Sequence, residues 1–338
     1  MPSFTAPVRV SLDLTYACDL RCVHCRTNTG EIPAPILRQM LNVDQLRGVL
    51  RELDAMRVLE ITLTGGEPTI HPRFFELLET VRELRYASVT LITNANRLTP
   101  EKIDRIVDAG VESIRVSIDG TRETFAAIRL EDAYDRVIEN AKYIRARVPN
   151  FKLLTTAMTL NVDNIFTLVD ELRGHGFRRL DLILVRAHGR GGRNNLLLSE
   201  PQAAELQRQV ADFQARVSEH DFDLALNAPY LAPELPGRRV HDVVMYPYLV
   251  KNASLAISAT GDVTMSRLYS PLPIGNVKHE TITQLWARNQ DQLEDEASEF
   301  DDARLRDVFW KFGKSSAQVD VELSALLDRQ LFRGEPVR

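Results

Sequence analysis

Three residues in this chain carry chemistry by type and spacing: Cys18, Cys22 and Cys25, in the run Cys18-Asp19-Leu20-Arg21-Cys22-Val23-His24-Cys25. They are the only cysteines in 338 residues. A disulfide framework needs an even number spread along the chain, and scattered core cysteines do not cluster in this way. Thiolates on a short loop hold iron–sulfur clusters. Three thiolates ligate three irons of a cubane and leave the fourth open, much as a catalytic zinc keeps an open position for a ligand. The alternatives are a closed zinc site with His24 or His71 as fourth ligand, and a catalytic thiol. Closed zinc sites pair two short knuckles, and only one is present. A catalytic thiol explains one cysteine and leaves two over.

The elements that must position this loop are legible as β-branched, apolar runs. The first, Val8 to Leu14, leads directly into the cysteines. Others follow at 58–63, 88–92, 113–118, 152–158 and 180–185. Between them lie amphipathic segments such as Val43 to Leu50 and Pro72 to Leu84. Another begins at Pro100, after Thr99 as a plausible N-cap, and stops before Gly110. Six strands alternating with helices predict an α/β fold with a parallel sheet, and a partial (β/α)6 barrel fits better than a closed eight-unit one. A Gly/Arg-rich loop spans 186–195, a long helix is predicted from about Ser199 to Glu219, and a strand–turn–strand begins near Ala253, with Thr260-Gly261-Asp262 as its turn. This divides the chain into a barrel over 1–195 and a small α+β extension over 196–338.

Composition narrows the class. Hydrophobic residues make up 44% and charged residues 26%, with a formal net charge of −5. No global basic field recruits nucleic acid, no apolar run is long enough to span a membrane, and the N-terminus lacks the features of a signal peptide. A cytoplasmic protein without nucleic-acid or membrane partners is expected.

The motif C-x3-C-x-Φ-C after a first strand resembles the signature of the radical SAM superfamily, with His24 at the usually aromatic position. The resemblance extends over residues 8–190. Gly65-Gly66-Glu67-Pro68 after the second strand is similar to that family's GGE motif, whose backbone and carboxylate receive the amino group of S-adenosylmethionine (SAM). Thr93-Asn94 ends the third strand like the family's T-N pair, and Ser117-Ile118-Asp119-Gly120 resembles the run whose serine reaches the SAM ribose or carboxylate. Arg129 falls where relatives carry an arginine that pairs with the SAM carboxylate, and Asn161 and Arg186 end the fifth and sixth strands. The resemblance implies one [4Fe–4S] cluster on Cys18, Cys22 and Cys25. It also implies SAM held by His24, Gly65, Gly66, Glu67, Asn94, Ser117, Arg129 and Asn161, and an electron donor such as flavodoxin or ferredoxin.

Residues 253–286 resemble the SPASM or twitch extension of that superfamily, at Ile257 to Val263, Ile274-Gly275-Asn276-Val277 and Leu285-Trp286. Where relatives carry a cysteine for an auxiliary cluster, this chain reads Thr264-Met265-Ser266-Arg267. That departure favours chemistry without a built-in electron acceptor: rearrangement, epimerisation, elimination or non-oxidative decarboxylation.

For substrate, a small polar metabolite such as a sugar or nucleoside competes with a peptide. The early start of the first strand argues against a leader-binding segment. The predicted rim carries Glu31, Arg26, Arg186, His188, Arg190 and Arg193, a set suited to a carboxylate or polyol, and Glu31, Arg186 and His188 are the expected substrate contacts. Arg190 and Arg193 equally suit a solvated Gly/Arg loop. Size and the cysteine-less extension are similar to the cytosylglucuronate decarboxylases of blasticidin-type nucleoside antibiotic biosynthesis, which implies a carboxy-lyase. A peptide-modifying maturase is the alternative enzyme, and a cluster-bearing scaffold the non-enzymatic one.

Overall fold

The computed structural model describes residues 6, 7, 9–186, 188–227, 254–265 and 273–289. The six expected strands form as β1 (Arg9–Asp13), β2 (Glu60–Thr64), β3 (Ser88–Thr93), β4 (Ser113–Ser117), β5 (Asn150–Ala157) and β6 (Arg179–Leu184). Each pairs in parallel with the next. Their period of two sets the layers. Val10, Leu12, Ile61, Leu63, Leu91, Ile114, Val116, Leu153 and Leu180 are buried in one core with residues of the helices. Ser11, Thr62, Thr90, Arg115, Lys152 and Asp181 alternate with them and take the opposite face, which is polar at these positions. Toward the strand starts that face carries ion pairs at 3.0–3.4 Å: Arg9 and Arg115 on Glu60, Lys152 on Asp181, and Arg179 on Asp181 and Asp223.

The intervening helices are α1 (Ala34–Leu37), α2 (Val43–Ala55), α3 (Phe74–Glu83), α4 (Pro100–Asp108), α5 (Arg122–Arg129), α6 (Tyr134–Arg145), α7 (Ile165–Gly174), α8 (Gly189–Arg193) and α9 (Glu200–Arg216). The helix starts are chemically specified. Asn42 and Gln45 form a reciprocal capping box on α2, Ser199 and Gln202 another on α9, and the Thr99 side chain accepts from the Lys102 amide as expected.

Three features depart from the sequence expectation. The Gly/Arg loop contains α8. A seventh parallel strand, β7 (Asp223–Asn227), extends the sheet beyond β6; five residues are too few to show a period against the preceding helix. The hairpin of the extension, β8 (Ser254–Ile257) and β9 (Asp262–Thr264), does not stand apart: β8 pairs in parallel with β1, and β10 (Gly275–Asn276) pairs with β9. One ten-stranded sheet results, in the order β10-β9-β8-β1-β2-β3-β4-β5-β6-β7. The expected boundary at 195 thus falls between α8 and α9 within this continuous sheet. The turn forms at Gly261, whose φ of 91° suits glycine. A helix over 282–289 buries Ile282, Leu285 and Trp286 in the main core. Ser266, Arg267 and the polar C-terminus lie outside the described residues. No helix among those described is long and apolar enough to cross a membrane.

Candidate active site at the cysteine loop

The cysteine loop leaves the C-terminal end of β1 and is gripped by the end of β2. The Gly66 amide donates to the Thr15 carbonyl at 2.7 Å and the Glu67 amide to the Ala17 carbonyl at 2.8 Å. That approach explains the glycine pair. A Cβ on Gly65, where φ is 135°, would lie 2.5 Å from the Thr15 oxygen, and one on Gly66 only 2.0 Å from the Ala17 oxygen. The glycines seat the loop.

All three cysteines are free thiols, and each has its own polar surroundings. Cys18 Sγ lies 3.4 Å from the Leu20 amide and 3.9 Å from Asn94 Nδ2, and burial pushes its thiol up to about 12. Cys22 is buried with Arg129 Nη1 3.7 Å from its sulfur; burial raises its pKa and the guanidinium opposes that. Cys25 is held below the ordinary thiol value: burial works against ionisation, but hydroxyl contacts with Thr29 at 3.3 Å and Thr27 at 3.6 Å outweigh it. Metal binding replaces the protons on such thiols outright. Of the two histidines considered for zinc, His24 Nε2 faces Asp119 at 3.5 Å, and His71 Nδ1 accepts from the Arg73 amide at 3.1 Å.

Around the loop, Asp119 at the end of β4 organises a buried polar layer. Its carboxylate pairs with Arg129 and accepts from the Thr156 amide at 2.8 Å, and its carbonyl accepts from Asn161 at 2.8 Å. Burial pulls the His24 imidazole down to about 4, so the ring is neutral at ordinary pH. His24 Nδ1 and Arg129 Nε are buried without a hydrogen-bond partner among the described residues. Buried polar atoms normally have partners, so these two are left able to bond a polar ligand. A thiolate triad with orphaned polar atoms next to it fits a cluster with a chelating, zwitterionic ligand such as SAM.

The expected SAM residues divide by geometry. His24 and Arg129 meet this layer with atoms to spare. The Ser117 hydroxyl is half-buried at the end of β4. Asn94 donates to Asp19 at 2.9 Å, and its oxygen accepts from the Asn96 amide. Glu67 was expected to present its carboxylate to an amino group. It is turned inward instead, accepting from the Thr69 amide and hydroxyl, the Thr93 hydroxyl and the Asn94 amide at 2.6–3.1 Å. Asn161 is likewise consumed: it donates to the Asp119 and Thr156 carbonyls and accepts from the Met158 amide at 2.8–2.9 Å.

The expected substrate residues divide too. Arg186 and His188 lie at the end of β6, where burial and the charges of Arg186 and Arg26 hold the His188 imidazole below its usual value. Glu31 is engaged by Arg190 Nη1 at 3.2 Å and by Arg193. Arg190, read as a rim or solvated residue, is buried, because α8 packs directly on the cysteine loop. Asp119 and Asp19 join the layer without a signal of their own in the sequence: Asp119 sits in the Ser117-Ile118-Asp119-Gly120 run, and Asp19 accepts from Asn94 and Asn96 at 2.9 Å.

Residues 12–183, half of the chain, match the model of the radical SAM superfamily. The mycofactocin maturase MftC of Mycolicibacterium smegmatis is 29% identical over 212 residues, covering 62% of this chain and 52% of that protein. An AdoMet-dependent heme synthase of Methanosarcina barkeri is 34% identical over 175 residues, covering 49% and 48%. The chain therefore spans about half the length of these curated relatives. Streptococcus suis SuiB bound to S-adenosylmethionine shares the fold at a TM-score of 0.66 and 17% identity, over 83% of this chain and 66% of that one. Native anSMEcpe with bound AdoMet does so at 0.66 and 16%, over 85% and 82%. Since the matched span runs from β1 to β6 and contains the whole cysteine loop, the chain belongs to the radical SAM superfamily.

Proposed function

We propose that this radical SAM enzyme tailors a small, anionic polar metabolite, a sugar or nucleoside bearing a carboxylate, in a redox-neutral reaction such as non-oxidative decarboxylation. The observation that carries the reading is the cationic group at the end of β6. Burial and the charges of Arg186 and Arg26 lower the His188 pKa, so both guanidiniums lie near that imidazole, with Arg26 also 3.9 Å from Asp13, and this supports the reading. Guanidiniums bind carboxylates through paired hydrogen bonds, and a neutral imidazole both donates and accepts one.

The enzyme uses a [4Fe–4S] cluster and SAM, which when bound supply a 5′-deoxyadenosyl radical able to remove a hydrogen atom from substrate. Cys18, Cys22 and Cys25 would hold the cluster. His24, Ser117 and Arg129 would orient SAM, with the backbone of Gly65 and Gly66 at its amino group, and flavodoxin or ferredoxin would supply the electron. The absence of any cysteine after Cys25 in these 338 residues supports chemistry that does not discharge electrons into a second cluster.

A second reading, peptide maturation, is favoured by the likeness to MftC and to the PqqA peptide cyclase of Ruegeria pomeroyi, 29% identical over 229 residues. The test is reconstitution with iron and sulfide, then incubation with SAM and dithionite, alone and with uronate sugar nucleotides or short peptides. Stimulated 5′-deoxyadenosine and carbon dioxide release with the uronates are expected. Stimulation by peptides alone transfers the function to the second reading.

A further inference from the structure

We infer that Arg190, backed by Glu31 and Arg193, is a positioning residue that clamps the cysteine loop from the β6 side and pre-orders it for the cluster; this rests on Cys18, Cys22 and Cys25 being the cluster's ligands. The loop between Cys18 and Glu31 has no regular structure, so few of its carbonyls are met by its own backbone: the Cys25 amide reaches Cys22, the Glu31 amide reaches Asn28, and the Arg21 side chain bonds the carbonyls of Cys18 and Leu20. The α8 segment adds further partners. Arg190 donates from Nε to the Cys22 carbonyl at 2.8 Å, from Nη1 to the Thr29 carbonyl at 2.8 Å, and from its amide to the Cys25 carbonyl at 2.9 Å. Asn194 donates to the Val23 carbonyl at 2.8 Å, and Arg193 reaches Asn28 at 3.1 Å.

The fit of α8 depends on its glycines. A Cβ on Gly189, where φ is 60°, would lie 2.3 Å from the carbonyl oxygens of both Cys25 and Arg26, and one on Gly191 would lie 3.0 Å from the Arg186 oxygen. Gly189 is therefore shaped to the cysteine loop, and Gly191 to the chain leaving β6.

Arg190 is only 6% exposed; its Nε and Nη1 are used on the loop and on Glu31, while its buried Nη2 has no hydrogen-bond partner among the described residues. Its planar fork reaches Cys22 and Thr29 at once, which a lysine's single ammonium cannot reproduce. Glu31 accepts from both Arg190 and Arg193 and so locks the outer end of the clamp. Fixing each loop residue costs conformational entropy, and a clamp lets folding meet that cost before any cluster arrives.

The test compares Arg190→Gln and Arg190→Lys, with Arg193→Gln as the outer perturbation. In the iron-free protein, hydrogen–deuterium exchange of amides 22–31 should quicken at least about tenfold in Arg190→Gln, the consequence of losing charge-assisted hydrogen bonds, while β1–β6 stay protected. Arg193→Gln should show a smaller increase. In the reconstituted, reduced protein, Arg190→Gln should broaden the cluster's electron paramagnetic resonance signal and speed iron loss to a chelator, with partial rescue in Arg190→Lys. Wild-type exchange together with a wild-type signal in Arg190→Gln overturns the inference. If the wild-type chain takes up no cluster, the ligand assignment fails, and the exchange arm still judges the clamp. If Arg190→Gln does not fold, Glu31→Gln and Arg193→Gln replace it, and unchanged exchange in both overturns the clamp.

Discussion

Replacing Asn161 by alanine separates two roles that its position at the end of β5 leaves in competition. As a SAM contact, it would affect affinity and spare stability. The structure instead shows one amide side chain satisfying three buried backbone groups: the Met158 amide and the carbonyls of Asp119 and Thr156. Each backbone group left unsatisfied in a buried setting costs about 1–3 kcal/mol. Partial relaxation and water entry reduce the sum, so a loss of about 3 kcal/mol is expected. Asn161→Asp should be at least as harmful, because a carboxylate would face two carbonyl oxygens where the amide donated. Urea unfolding of the iron-free protein, followed by tryptophan fluorescence and circular dichroism, gives the stability. Equilibrium binding of SAM to the reconstituted protein gives the affinity. A variant within about 0.5 kcal/mol of wild type that nonetheless binds SAM tenfold more weakly would show that the inward tie is not what Asn161 does.

Three further perturbations probe other parts of the site. Gly66→Ala places a methyl group against the Ala17 carbonyl and forces the two chains apart; a loss of about 1–3 kcal/mol with depressed iron uptake is expected, read by unfolding and by iron analysis. Arg129→Gln strands the buried Asp119 carboxylate and should destabilise by about 3–5 kcal/mol, with partial recovery in Arg129→Lys, measured by the same unfolding assay. Arg186→Ala should leave dithionite-driven SAM cleavage without substrate unchanged while raising KM for an anionic substrate, as steady-state kinetics with and without substrate will show.

The residues that proved legible are those whose signal is local. Three cysteines within eight positions announced a metal-type loop without reference to anything distant. Alternating β-branched runs located six strands because period two is written in adjacent residues, and Thr99 as N-cap of α4 was equally readable. Less was legible where a residue's role depends on what arrives from elsewhere in the chain. Glu67 reads as an available carboxylate until β3 brings Thr93 and Asn94 against it. Arg190 reads as a solvated arginine until α8 meets Cys22, 168 positions away.

By itself, then, the sequence determined the strands β1–β6, the capped helix α4 and the cysteine triad, since all rest on spacing along the backbone. Only the tertiary structure decided that β8 completes the same sheet beside β1, that Asn161 and Glu67 turn inward, and that Arg190 grips the ligand loop. Those outcomes follow from which buried donors and acceptors meet once the core closes, and burial compels each of them to find a partner.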